Sequence, residues 1–168
     1  MSPPDAEAQY AVLEGAVRAA VAPDVALVGI HTGGVWLAER LHAALGTRAP
    51  LGTLDVNFYR DDHAQRGLKS DVRTSTLAFD MRDADVLLVD DVLYTGRTLR
   101  AALNMLFDYG RPRRVRLAVL ADRGARELPI GADFCGGTIA VPAGAIAALS
   151  RDAHGRLAWS IEAASDGR

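Results

Sequence analysis

Residues 86–98 read VLLVDDVLYTGRT, and this stretch decides the fold. Val86 to Val89 form a short apolar run of the kind that makes a strand buried on both faces. Asp90 and Asp91 follow where that strand is expected to end, and a turn of small and polar residues, Thr95-Gly96-Arg97-Thr98, comes next. From Leu99 the spacing becomes helical: Leu99, Ala102, Leu103 and Leu106 share a face, and Gly110 is a natural stop. The segment reads as strand, acidic tip, loop, helix. In an open α/β sheet ligands sit at the carboxyl ends of strands. A helix N-terminus there offers backbone N–H groups to an anion.

The two halves of the loop suit different parts of one ligand. Backbone amides and the hydroxyls of Thr95 and Thr98 suit a phosphate monoester, with Gly96 allowing close approach. Asp90 and Asp91 would repel that phosphate, so they are expected to face sugar hydroxyls or a hard divalent cation held through water. The ligand this describes is a sugar phosphate. The competing readings are a chance acid pair at the end of a buried strand and a receiver-like phosphoacceptor domain. The threonine-glycine turn, shaped for a bound phosphate, argues against the second.

The same loop resembles the phosphoribosyl pyrophosphate (PRPP) signature of type I phosphoribosyltransferases. Its form DDVLYTGRT is most similar to the PyrR family, pyrimidine operon regulators that are also uracil phosphoribosyltransferases. The resemblance implies an α/β fold with a central, mostly parallel sheet flanked by helices and a flexible hood loop. It implies PRPP contacts from Val92, Leu93, Tyr94, Thr95, Gly96, Arg97 and Thr98. Asp90 and Asp91 would be catalytic anions beside the ribose and would hold Mg2+, through water or ribose hydroxyls.

A second glycine loop lies upstream. Residues 6–22 carry Tyr10, Leu13, Val17 and Val21 at helical spacing up to Pro23, and Val25 to Ile30 reads as a compact strand. His31-Thr32-Gly33-Gly34 then leads into a helix bearing Leu37, Leu41, Ala44 and Leu45, stopped by Gly46. This βαβ unit is expected to cross over right-handedly. The loop resembles the pyrophosphate loop of the PyrR family, implying PRPP contacts from Thr32, Gly33 and Gly34. Family members read threonine-arginine-glycine there, whereas here Gly34 follows Gly33 and glycine occupies the arginine position. His31 is expected to face solvent, either as a surface residue or as a ligand contact.

Leu51 to Tyr59 alternates as a half-buried strand, with Leu54, Val56 and Phe58 on one face and Thr53, Asp55 and Asn57 on the other. Tyr59-Arg60-Asp61-Asp62 opens a polar stretch without period, which in the PyrR family is the hood loop, here about residues 60–76. Arg60 is the catalytic candidate for a pyrophosphate contact, because a guanidinium binds phosphate oxygens in pairs; the alternative is a charge cluster at a strand end. Lys69 and Arg73, within that loop, are expected to close over the leaving group. Residues 111–114 (RPRR) form a basic turn, read as a solvated connector or as a contact to RNA phosphates.

Leu120 to Ile130 reads LADRGARELPI, similar to the PyrR run except at Ala125, which stands in place of a histidine. Asp122 and Arg123 are expected to border the base pocket, and Arg126 with Glu127 to form a local ion pair. Beyond Ile139 the resemblance fades, and Leu157 to Ile161 is expected to be a last strand with Trp159 packed. The tail, about residues 163–168, should fray.

The 168 residues fit a single domain spanning 1–168, with 49% hydrophobic and 24% charged residues. No apolar run reaches the ~20 residues that cross a bilayer. The first ten residues lack the order of a signal peptide, so a cytoplasmic location without membrane contact is expected. The single cysteine, Cys135, excludes an internal disulfide and a cysteine-based metal cluster. A net charge of −2 gives no global attraction to nucleic acid.

These readings favour an enzyme joining uracil to PRPP with Mg2+, releasing pyrophosphate and UMP. The alternatives are a PRPP- or nucleotide-sensing regulator of pyrimidine leader RNA and a phosphoribosyltransferase for another base. A homodimer or higher homo-oligomer is expected from the family, with Tyr10 and Leu13 of the first helix offered as a contact.

Overall fold

The computed structural model describes residues 2–57 and 75–163. Helices α1 (Ala6–Ala20), α2 (Gly33–Leu45) and α3 (Arg97–Tyr109) accompany strands β1 (Ala26–Ile30), β2 (Gly52–Leu54), β3 (Asp85–Leu93), β4 (Arg114–Asp122) and β5 (Phe134–Cys135). These strands form one sheet in the order β2-β1-β3-β4-β5, and every neighbouring pair is parallel. A hairpin, β6 (Ala145–Arg151) and β7 (Leu157–Ala163), pairs antiparallel beside it. The expected α/β architecture is thus present.

The sheet is covered on both faces because its central strands alternate between two apolar sets. Leu27, Leu87, Val89 and Leu120 point to a core shared with Leu13 and Val17 of α1 and Leu37 and Leu41 of α2. Val28, Ile30, Val86, Leu88 and Val119 point the other way, to Leu99, Ala102 and Leu106 of α3. From β1 the chain adds β2 on one side, and from β3 it adds β4 on the other. Right-handed crossovers in opposite directions place α2 and α3 on opposite faces.

Local chemistry sets the helix ends. The Asp5 carboxylate accepts the Glu7 and Ala8 amides at the start of α1. Gly46, at φ 59°, closes α2 in the left-handed conformation. Glu7 and Arg40 join α1 to α2 through two hydrogen bonds of 2.9 and 3.0 Å, with the Arg40 guanidinium 3.8 Å over the Tyr10 ring.

Several expectations need correction. β3 does not end before the acid pair but runs through it to Leu93, because β4 supplies pairing partners as far as Asp122. β2 is only three residues long, since β1 stops at Ile30 and leaves nothing further to pair with. Asp55, expected on a polar face, is buried, with its carboxylate accepting the Asn57 amide. Residues 75–76, placed in the hood, are already tied down: Thr76 forms an antiparallel bridge with Thr53, and Ser75 Oγ accepts the Asp55 amide. The remainder of the hood lies outside the described residues, as do Arg60, Lys69, Arg73 and residues 164–168. β6 had no periodic signal, because it is short of strong strand formers and only half-buried. Residue 163, assigned to the fraying tail, is the last residue of β7.

Tyr10 and Leu13 are core residues and not subunit contacts. Leu13 is fully buried, and burial pushes the Tyr10 phenol up to about 12. Among the described residues no helix is long and apolar enough to cross a membrane. Leu13→Ala is expected to cost about 2–5 kcal/mol, the range for emptying a packed leucine site. Thermal unfolding over a range of protein concentrations would check this, the loss being the same throughout because the contact lies within one chain.

Candidate functional site

The site is built where β3 outruns β1. Pairing of β3 with β1 ends at Gly29 opposite Val89, while pairing with β4 continues to Leu93 opposite Asp122. Asp90, Asp91, Val92 and Leu93 therefore have β4 on one side and the loop from β1 into α2 on the other. This end of β3 is the switch point where the chain departs in both directions, the place where a doubly wound sheet usually has its ligand cleft.

Glycine makes that approach possible. A Cβ on Gly33 would collide with the Asp91 carboxylate, and one on Gly34 with the Val89 carbonyl. The first turn of α2 thus lies directly against the acidic end of β3. Thr32 stands at the N-cap position of α2 without a side-chain capping bond, and His31 hydrogen-bonds through its amide to the Leu54 carbonyl at 2.9 Å. His31 is partly buried, with Nδ1 inside the fold, which corrects the expectation that it faces solvent.

Asp90 and Asp91 differ in surroundings. Successive strand residues point to opposite faces, so Asp91 meets Gly33 on the α2 side while Asp90, 5% exposed, turns toward the α3 side. Each carboxylate accepts the amide of the following residue, Asp91 N–H at 3.0 Å and Val92 N–H at 2.8 Å. These bonds hold both oxygen pairs at the rim of the strand.

The loop into α3 forms the floor. Thr95 Oγ1 accepts the Arg97 amide at 3.3 Å, and Gly96 takes φ 94°, a value glycine tolerates, to start the helix. A second loop, after β4, closes against it. The Thr95 carbonyl accepts the Glu127 and Leu128 amides at 3.0 Å each, and Arg97 Nε donates to Glu127 at 2.8 Å.

That second loop contains the residues sequence reasoning read differently. Glu127 pairs with Arg97, and Arg126 pairs with Asp122, so the expected Arg126–Glu127 pair is not formed. The helical spacing of four between Asp122 and Arg126 was present in the sequence, but here it closes a turn with Gly124 and Ala125 at positive φ. Arg126 also donates to the Tyr94 carbonyl at 2.8 Å and the Ile130 carbonyl at 2.9 Å, which ties both loops together. Arg123 stacks 4.1 Å over the Tyr94 ring and donates to the Ala145 carbonyl of the hairpin. Asp122 and Arg123 are therefore brought beside residues 93–98, on the cleft's β4 side.

Similarity to known proteins agrees with this geometry. A phosphoribosyl transferase domain model matches residues 13–144, a span that includes both glycine loops and the acid pair. The bifunctional protein PyrR of Pseudomonas paraeruginosa is 59% identical over 114 residues, covering 68% of this chain and 67% of that protein. The chain belongs to the PyrR family of phosphoribosyltransferases. The bifunctional protein PyrR of Syntrophobacter fumaroxidans is 57% identical over 116 residues, covering 67% of this chain and 62% of that one. Among solved structures, a hypoxanthine-guanine phosphoribosyltransferase from Bacillus anthracis superposes with a TM-score of 0.63 at 15% identity, covering 80% of each chain. A Trypanosoma cruzi hypoxanthine phosphoribosyltransferase does so with a TM-score of 0.60 at 21% identity, covering 84% of this chain and 78% of that one. These two share the fold.

In this PyrR-family chain Arg113 and Arg114 of the basic turn share one carboxylate, that of Asp85, at 2.9 and 3.0 Å. Electrostatics are sharper at the β4 end. The Arg126 guanidinium holds the Asp122 carboxyl below its ordinary value of 3.8, helped by the Gly124 amide and opposed by burial. The stabilisation from this pair is thus full above the unfolded carboxyl's pKa and is lost as pH falls through the lower folded value. Arg126→Gln is expected to flatten stability against pH in the acid range below about pH 4. The difference should be of order 1 kcal/mol, discounted for partial exposure of the pair. Urea unfolding at pH 2–7 would measure it.

Proposed function

We propose that the cleft transfers the phosphoribosyl group of PRPP to uracil, giving UMP and pyrophosphate. The observation that carries this reading is the approach of Gly33 to Asp91. It sets an anion-binding helix start against a carboxylate at the end of the central strand. A sugar diphosphate with a 5′-phosphate has matching parts. The amides of Thr32, Gly33 and Gly34 face the pyrophosphate, and the turn of Val92 to Thr98 receives the 5′-phosphate. Between them the ribose lies over Asp90 and Asp91. Asp122 and Arg123, with Tyr94 beneath the Arg123 guanidinium, border the base.

Displacement at the anomeric carbon passes through an oxocarbenium-like state with positive charge on the ribose. Two carboxylates at the rim of β3 favour that charge, and their hydrogen bonds to the next amides keep them in place. No side chain acts as a covalent nucleophile. Bringing the base and the sugar into one cleft supplies much of the acceleration.

The donor set fits a divalent cation bound in part by substrate. Among the described residues no three His, Cys, Asp or Glu side chains converge, and Asp90 and Asp91 leave β3 on opposite faces, so each would reach Mg2+ through water or ribose hydroxyls. When bound, that ion neutralises the departing pyrophosphate.

A second reading, regulation through RNA, is favoured by one surface. Phe107 and Tyr109 are 55% and 50% exposed at the end of α3, next to Arg111, and exposed aromatics beside arginine suit stacking on unpaired bases. The relatives' description as bifunctional agrees with a second role of this kind.

The test is conversion of labelled uracil to UMP with PRPP and Mg2+, with orotate, hypoxanthine and adenine as competing bases. Turnover is expected with uracil alone, and Asp91→Asn is expected to lower kcat by about 100-fold or more, the scale of a lost transition-state electrostatic contact, with the thermal midpoint little changed. Unchanged kinetics in Asp91→Asn would remove the assignment. Salt-sensitive filter binding of pyrimidine leader RNA that weakens in Phe107→Ala would support the second role.

A further inference from the structure

Gln9 is a polar side chain in the core, 7% exposed on the inner face of α1. Its Oε1 accepts the Trp159 indole N–H at 2.7 Å, and its Nε2 donates to the Thr138 carbonyl at 3.1 Å. Trp159 can only donate and a carbonyl can only accept, so the partners themselves dictate which way the amide faces. The backbone agrees with this close fit. A Cβ on Gly136 would collide with the Gln9 carbonyl, and one on Gly137 would stand 3.0 Å from Gln9 Nε2. Residues 136–138 are therefore pressed directly onto α1.

The same segment grips Asp122. Thr138 bridges Asp122 in parallel; the Asp122 amide donates to the Gly137 carbonyl at 2.8 Å, and the Asp122 carbonyl accepts the Ile139 amide at 3.0 Å. Asp122 is thus held by β3 on one side and by residues 137–139 on the other. Gln9, 129 residues from Thr138 in sequence, thus holds the outer of these two supports.

We propose that Gln9 is a positioning residue for the pyrimidine base. Its donation to the Thr138 carbonyl sets the spacing between residues 137–139 and Asp122, and hence the edge of the base pocket. This rests on the reading that Asp122 and Arg123 border the base. The Trp159 arm of the clamp anchors the hairpin, while the Thr138 arm reaches the site.

Two variants separate these arms. Gln9→Glu keeps an acceptor for Trp159 and, measured at alkaline pH where the carboxyl is ionised, loses the donor to Thr138. Trp159→Phe keeps the packed ring but loses the N–H. Gln9→Glu is expected to raise the KM for uracil about fivefold to tenfold, the scale of one lost hydrogen bond, with the KM for PRPP within about twofold. Amide hydrogen exchange at Asp122 and Ile139, read by NMR, should accelerate by a similar factor while β1 amides stay unchanged. Trp159→Phe should lower the thermal midpoint and leave the KM for uracil alone. If Gln9→Glu does not fold, Gln9→Met, of similar length and lacking both hydrogen bonds, takes its place with the same expectation. Lower stability in both variants, with the KM for uracil and the two exchange rates unmoved, would overturn the proposal. A wild-type chain with no uracil turnover would count against the functional reading, and exchange at Asp122 and Ile139 would still decide for or against Gln9.

Discussion

The structure depends on a difference in length between neighbouring strands. β1 ends its pairing with β3 at Val89, and β4 goes on pairing to Leu93. An unpaired strand edge inside a fold leaves backbone groups that must find other partners. Here the carboxylates of Asp90 and Asp91 take the amides of the next residues, which turns a potential cost into a rigid acidic rim. The apolar half of β3, Val86 to Val89, anchors that rim in both cores. The acids thus follow directly on a run of four residues buried in the two cores.

Around this rim the fold brings three connections to one end of the sheet. The β1–α2 loop approaches because Gly33 and Gly34 lack side chains. The β3–α3 turn and the loop after β4 are joined through the Thr95 carbonyl and through Arg126, which gathers Asp122 and the Tyr94 carbonyl. Arg126 therefore serves as the joint between the β3–α3 turn and the loop after β4. A partly exposed ion pair is worth little by itself, but this guanidinium also satisfies backbone carbonyls of two loops at once.

The hairpin and α1 form the outer support. Trp159 packs in the core on the α1 side of the sheet, and Arg123 reaches from the end of β4 to the Ala145 carbonyl of β6. Through Gln9, Thr138 and Asp122, the first helix and the last strand are linked to the same edge of the site. A short path of hydrogen bonds thus joins segments far apart in sequence to the end of β4.

Much of this was legible in the residues. The apolar runs Val86–Val89 and Val25–Ile30, each followed by a glycine-bearing loop and a helical period, determine a parallel α/β sheet, because strands buried on both faces require helices to cover them. The order of acid pair, threonine, glycine and helix determined where β3 gives way to α3 and which chemical groups stand at that junction. Partner choice was not legible. That β3 passes through its acids, that Asp90 and Asp91 face opposite sides, that Arg126 selects Asp122 while Glu127 selects Arg97, and that Tyr10 and Leu13 face the core all depend on which strand ends where in space. Periodicity along a chain records which face a residue occupies, but the group opposite it is set by strand register and loop closure between segments distant in sequence. Those only the tertiary structure decided.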